Sequence, residues 1–157
     1  MVNFRQIRRF AYLSVLIVFA FIEMSRLNLS RRTFEFFSYD NNRSVVEDRM
    51  LRRTGSLEKD IKSYVEELIL GPVSLDLVPL VTTGTKLDSF MYRDRTVYAD
   101  FSGDAAFSVQ GGKPLFDSFL TLNQGIRRNF RAVKDVKLFV GGNEVFFGEF
   151  EKFFRAE

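Results

Sequence analysis

Residues 57–72, LEKDIKSYVEELILGP, hold the pattern from which the rest of the chain is read. Leu57, Ile61, Tyr64, Val65, Leu68 and Ile69 recur at four-, three- and one-residue steps, which lays one apolar stripe down a helix. Glu58 and Asp60 in the first turn suit the positive end of the helix dipole, and Ser56 stands where an N-cap belongs. Gly71-Pro72 ends the helix. A helix with one apolar stripe and a polar back needs a layer beneath it, so the flanking segments are read for what that layer is.

Upstream, TFEFFSY (33–39) is aromatic and β-branched and runs into Asp40-Asn41-Asn42, a strand and its turn, followed by a more polar strand over 44–53. Downstream, a loop with Pro79 and Gly84 leads to a strand over 87–92, the turn Arg93-Asp94-Arg95, and a strand over 96–101 in which Val97, Ala99 and Phe101 alternate with Tyr98 and Asp100. Gly111-Gly112 and Pro114 open a second helix with Leu115, Phe116, Phe119, Leu120, Leu122, Ile126 and Phe130 as its apolar positions. Gly125 weakens that helix slightly. Strands over 135–140 and 144–147, joined at Gly141-Gly142-Asn143, complete the series. The order is ββαβββαββ, or βαββαβ when the weak strand and the short return are discounted. Such an order packs as an α+β two-layer sandwich, a mixed or antiparallel sheet with two helices on one face. No internal repeat is present.

Ahead of the domain, Arg5, Arg8 and Arg9 precede the uncharged run FAYLSVLIVFAFI (10–22), which Glu23 and Arg26 follow. Thirteen residues suit a signal-peptide core, whereas a full span takes about 20. No convincing cleavage site follows, and snorkelling flanks with local thinning let a short run cross. The expectation is an uncleaved signal-anchor through Phe10, Leu13, Leu16, Ile17, Phe19 and Ile22, with a cleaved signal and a buried core helix as alternatives. The positive-inside rule keeps the first arginines in the cytoplasm, so the domain would face the periplasmic side of the bacterial cytoplasmic membrane, with Arg31 and Arg32 diluting the bias. The organisation expected is an N-terminal segment over 1–30, one domain over 31–148 and a Phe-rich tail over 149–157.

Composition removes several chemistries. The 157 residues contain neither Cys nor His, which excludes disulfides, thiolate metal sites, lipidation through cysteine and the usual triads and dyads. The net charge of +3 belongs to residues 1–32, where six Arg face one Glu. The remainder is slightly acidic, which argues against nucleic acid as a partner.

The ordered set Glu66-Glu67-Leu68-Ile69-Leu70-Gly71-Pro72, Val78-Pro79, Gly84-Thr85-Lys86-Leu87 and Val97-Tyr98-Ala99-Asp100-Phe101-Ser102 resembles the GerMN domain of sporulation and germination lipoproteins and other envelope proteins. Gly111-Gly112, Leu120-Thr121-Leu122-Asn123-Gln124 and Val136 to Gly142 continue the likeness, which covers roughly residues 33–148. The resemblance implies a non-catalytic α/β module, similar to the ring-building folds of envelope complexes, acting by protein–protein contact. One domain and no lipidated cysteine set this chain apart from better-known members, so a sporulation role does not carry over.

Four places invite a site. Asp100-Phe101-Ser102-Gly103-Asp104 has oxygen ligands for a hard cation but too few of them, and Gly111-Gly112-Lys113-Pro114 lacks the first Gly and the hydroxyl of a phosphate loop. Arg127, Arg128, Arg131, Lys134 and Lys137 form a basic run that reads as a solvated helix end or a contact for an acidic partner. Phe146, Phe147, Phe150, Phe153 and Phe154 recur at helical steps and are the expected partner contact if they do not pack on their own domain. No catalytic residue, metal or cofactor is assigned. The function expected is a membrane-anchored interaction or scaffold module, working by self-association or by docking to envelope proteins. The alternatives are a cell-wall glycan binder, marked by an aromatic-lined pocket, or a glycan hydrolase using carboxylates alone.

Overall fold

The computed structural model describes residues 4–26 and 28–145. After helix α1 (Phe4–Arg26), the aromatic segment forms β1, which is longer than the sequence pattern indicates and runs Leu29–Ser38. It pairs antiparallel with β2 (Arg43–Arg52) in an unbroken register from Leu29↔Arg52 to Ser38↔Arg43. Phe34, Phe36 and Ser38 point inward and are buried, while the alternate residues look out. Helix α2 (Leu57–Leu70) buries Ile61, Tyr64, Val65 and Leu68, the stripe read from the sequence. The two-residue β3 (Leu77–Val78) then pairs with the far end of β1, at Phe37 and Ser38.

The second sheet starts with the hairpin of β4 (Leu87–Arg93) and β5 (Thr96–Phe101). Asp94 and Arg95 sit at φ 50° and 65°, the two left-handed residues that a tight hairpin turn matched to strand twist requires. From β5 the chain passes a 3-10 turn (Gly103–Ala106) and α3 (Leu115–Asn129) and returns as β6 (Asp135–Val140), parallel to β5 from Thr96↔Asp135 to Phe101↔Val140. Parallel neighbours need such a helical crossover. β7 (Asn143–Glu144) closes that edge.

The α+β class is that read from the sequence, and the order after α1 is ββαβββαββ, with β3 falling in the stretch read there as a loop. The strands divide, however, between a three-stranded sheet ordered β2-β1-β3 and a four-stranded one ordered β4-β5-β6-β7. Hydrophobic period identifies strands and carries no information on which edges meet. One core nonetheless unites both sheets with α2 and α3: Phe34 and Phe36 from the first, Val97, Ala99, Phe101, Val136 and Leu138 from the second, and Tyr64, Phe119, Leu122 and Ile126 from the helices.

Tyr64 is the keystone of that core. Its ring stacks on Phe34 at 4.7 Å and meets Phe130 edge-on at 5.6 Å, and its hydroxyl donates to the Thr33 carbonyl at 3.0 Å. Gly125 in α3 makes this possible, because a Cβ there would lie 2.7 Å from the Tyr64 hydroxyl. The glycine that reads as a weak point of the helix is the gap through which α2 and α3 approach.

Two local expectations need correction. Ser56 occupies the N-cap position of α2 but its side chain makes no capping bond; Asp60 instead accepts from the Thr54 amide at 2.7 Å and the Thr54 hydroxyl at 2.8 Å, fastening the preceding loop to the first turn. Pro114 is the N-cap of α3 rather than its first helical residue, which changes nothing in the argument for its fixed φ.

Candidate functional site

The residues that carry the family resemblance come together at joints between segments. Gly71 (φ 88°) lies against Pro79, where a Cβ would approach the proline ring to 3.1 Å. Thr85 is buried and folds its own turn, donating its hydroxyl to the Thr82 carbonyl at 2.7 Å. Lys86 and Ser102 tie the ends of β4 and β5: the Ser102 amide donates to the Lys86 carbonyl at 2.9 Å and the Lys86 amide to the Ser102 hydroxyl at 3.1 Å. Asn123, buried in α3, donates its side-chain amide to the Val136 carbonyl at 3.2 Å, locking the crossover helix to the strand it feeds. Each of these polar groups is consumed by the fold.

Two further joints carried no signal in the sequence. Asn129, at the end of α3, places its side-chain amide against the edge of β1: its oxygen accepts from the Thr33 amide at 2.9 Å and its nitrogen donates to the Thr33 carbonyl at 2.7 Å, as a neighbouring strand would. Arg49 on β2 reaches across Phe34, 4.7 Å from its ring centre, and donates to the Glu47 carboxylate at 2.8 Å, the Glu67 carboxylate at 3.2 Å and the Gly71 carbonyl at 2.7 Å. Glu47 also accepts from the amides of Val73 (3.2 Å) and Ser74 (3.0 Å). Burial by itself would raise the Glu47 carboxyl, but Arg49 and the two amides outweigh it and hold the group below its ordinary value. A glycosidase acid needs the opposite shift.

The candidates named from the sequence separate. Asp100 accepts from the Gly142 amide at 3.1 Å, and Asp104 accepts from the Ser102 hydroxyl at 3.3 Å, so the two carboxylates serve different turns. Among the described residues no group of three or more acidic side chains is placed to hold a metal. Arg128 pairs with Glu35 at 3.2 Å and Lys137 with Glu144 at 3.7 Å, which divides the basic run between two surfaces. Gly111, Gly112, Lys113 and Pro114 line one wall of an open groove of about 510 Å³ whose other wall is Phe37, Tyr39 and Asn42. Lys113 crosses the groove to the Ser44 hydroxyl at 2.9 Å. The partner contact expected at Phe146, Phe147, Phe150, Phe153 and Phe154 lies outside the described residues.

Helix α1 differs from everything else. Every residue from Arg9 to Ile22 is exposed, with Phe10, Leu13, Leu16, Ile17 and Phe19 at 58–69% and Ile22 at 44%. These side chains cover all sides of the helix, so no face is left polar. No described helix is long and apolar enough to cross a membrane.

The fold and its joints define a class of protein: a small α+β domain whose distinctive polar residues fasten its own segments together, carried behind an exposed apolar helix. Residues 35–146 match the Germane family, described as sporulation and spore germination, and the chain belongs to that family. Its fold is that of the tandem GerMN domains of the sporulation protein GerM from Bacillus subtilis (TM-score 0.57, 19% identity), of which it spans 40% while 74% of its own length is covered. The first GerMN domain of the same protein is matched over 74% of this chain and 86% of that one, at 18% identity and a TM-score of 0.48. No curated protein matches the chain.

Proposed function

We propose that this protein is a non-catalytic, membrane-held module that works by protein–protein contact, with its GerMN domain on the outer side of the bacterial cytoplasmic membrane. The observation that carries the reading is α1, apolar on every face and exposed along its whole uncharged run. A helix of that kind is at home in lipid or in a protein core, and its own domain's core is already filled. The uncharged stretch of 13 residues rises about 20 Å against a hydrocarbon layer of about 30 Å, so a single crossing requires the flanking arginines and Glu23 to reach the two interfaces. The non-catalytic part is supported by the use of Glu47, Asp60, Asp100 and Asn123 as structural partners and by a family description that names a process rather than a reaction.

Protease added to intact spheroplasts tests the placement. The domain is expected to be digested while a cytoplasmic marker survives; protection of the domain until the cells are lysed would overturn it. A second reading, a binder of cell-wall glycan, is favoured by the groove that has Phe37 and Tyr39, the latter 68% exposed, on one wall, since sugars stack on aromatic faces.

A further inference from the structure

The interaction-module reading leaves open where contact is made, and the sheet edges answer differently. Within β1 and β2 the bonding alternates. The Arg53 amide donates to the Asn28 carbonyl, and Thr33 turns its amide and carbonyl away from β2 to Asn129. By the two-residue period of an antiparallel pair, odd-numbered residues of β2 bond to β1, and Ser44, Val46, Asp48, Met50 and Arg52 direct their amides and carbonyls outward. Among the described residues, no backbone or side-chain group meets those outward groups.

The other edges are blunted. β4 carries a register shift between Leu87 and Ser89, and its Tyr92 amide is taken by Glu58 at 3.1 Å. The outer side of β1 is occupied by β3 and Asn129, and β7 is two residues long. β2 has ten residues, no Pro, no Gly and no bulge, and Val46 and Met50 beside its edge are 52% and 60% exposed. Natural sheets avoid leaving such an edge without a neighbour.

We propose that β2 pairs antiparallel with β2 of a second copy of this chain, about a two-fold axis at Asp48, so that the three-stranded sheets of two protomers become one. Bonding parity permits only registers that set even residues opposite even ones. A centre at Glu47 would oppose Glu47 to itself, and a centre at Arg49 would oppose two arginines. The centre at Asp48 sets Val46 against Met50, Val45 against Leu51, and Glu47 against Arg49, each pair occurring twice by symmetry. Between residues 44 and 52 the one like-charge pair is Asp48 with itself, and each copy of Asp48 is already bound by Arg31 on its own β1; Arg43 and Arg53 oppose each other only where the paired strands end. Val45 and Leu51 pack against the core from its rim, so pairing would extend each core toward its neighbour.

The chain has no native cysteine, so single cysteines report the register directly. This inference rests on the module reading, and the experiment uses the full chain in native membranes under mild oxidation. Asp48→Cys should give a disulfide-linked dimer, because opposed residues in such a pair lie about 5.5 Å apart, within disulfide reach. Ser44→Cys and Arg52→Cys alone should stay monomeric, since each would sit some 27 Å from its own copy. Val46→Cys and Met50→Cys should cross-link to each other when co-expressed and neither to itself, which supplies the register independently of Asp48. Absence of the Asp48→Cys and Val46–Met50 dimers, or equal cross-linking from all positions, would overturn the self-pairing. The module reading would survive that result, because it is tested separately by protease access.

Discussion

Helices α1 and α3 are both rich in Phe and Leu and are built by opposite rules. In α3, Ser118, Phe119, Leu122, Gly125 and Ile126 are buried while Gln124, Arg127 and Arg128 stay exposed, so the helix has a face for the core and a face for water. In α1 the run from Phe10 to Ile22 has no charged residue, and every position in it is exposed. A large apolar side chain left in water forgoes on the order of 1.5–3 kcal/mol of burial. One helix therefore has a protein surface beneath it, and the other, on the proposed reading, a surrounding apolar phase. Apolar content is shared; the presence or absence of a polar face separates them.

The sharpest way to break this comparison is to make the same change in both helices. Phe119 is buried against Phe101, their rings 5.9 Å apart, and Phe119→Ala is expected to destabilise the domain by about 3–5 kcal/mol. Phe19→Ala should leave domain stability within about 0.5 kcal/mol. Denaturant unfolding of the full chain in detergent, followed through the domain's tyrosines, measures both. A loss of similar size from Phe19→Ala would mean that α1 packs on the domain after all.

A smaller effect sharpens the account of α3. Gly125→Ala gains up to about 1 kcal/mol in helix propensity. It also places a methyl group against the Tyr64 hydroxyl, which is held between Phe34 and Phe130 and cannot swing aside. The expected net result is a loss of about 1–2 kcal/mol, as a buried hydrogen bond to Thr33 is broken. A stabilised variant would contradict the close approach of α2 and α3.

Much of the domain was legible in the sequence because its elements are strongly periodic. The stripe of α2 is buried at Ile61, Tyr64, Val65 and Leu68, and the alternation of β5 is buried at Val97, Ala99 and Phe101. The ordered motifs that resemble the GerMN domain lead to the right family. What was not legible depends on contacts between distant segments. Asn129 falls inside the span read as the second helix, and only the fold shows it standing in for a strand beside Thr33. Arg49 and Glu47 fall in the strand read as the more polar one, and their bonds to Glu67, Gly71, Val73 and Ser74 appear only once α2 has turned back over β2. The division into two sheets likewise depends on which strand edges meet, which hydrophobic period does not convey.

Flotation of the full chain with lipid vesicles through a density gradient tests most directly whether α1 belongs to a membrane. The chain is expected to rise with the vesicles and to resist alkaline extraction. The Leu16→Lys, Phe19→Lys double variant should stay at the bottom with an unchanged domain melting temperature. Failure of the unaltered chain to float, or flotation of the double variant, would contradict the account.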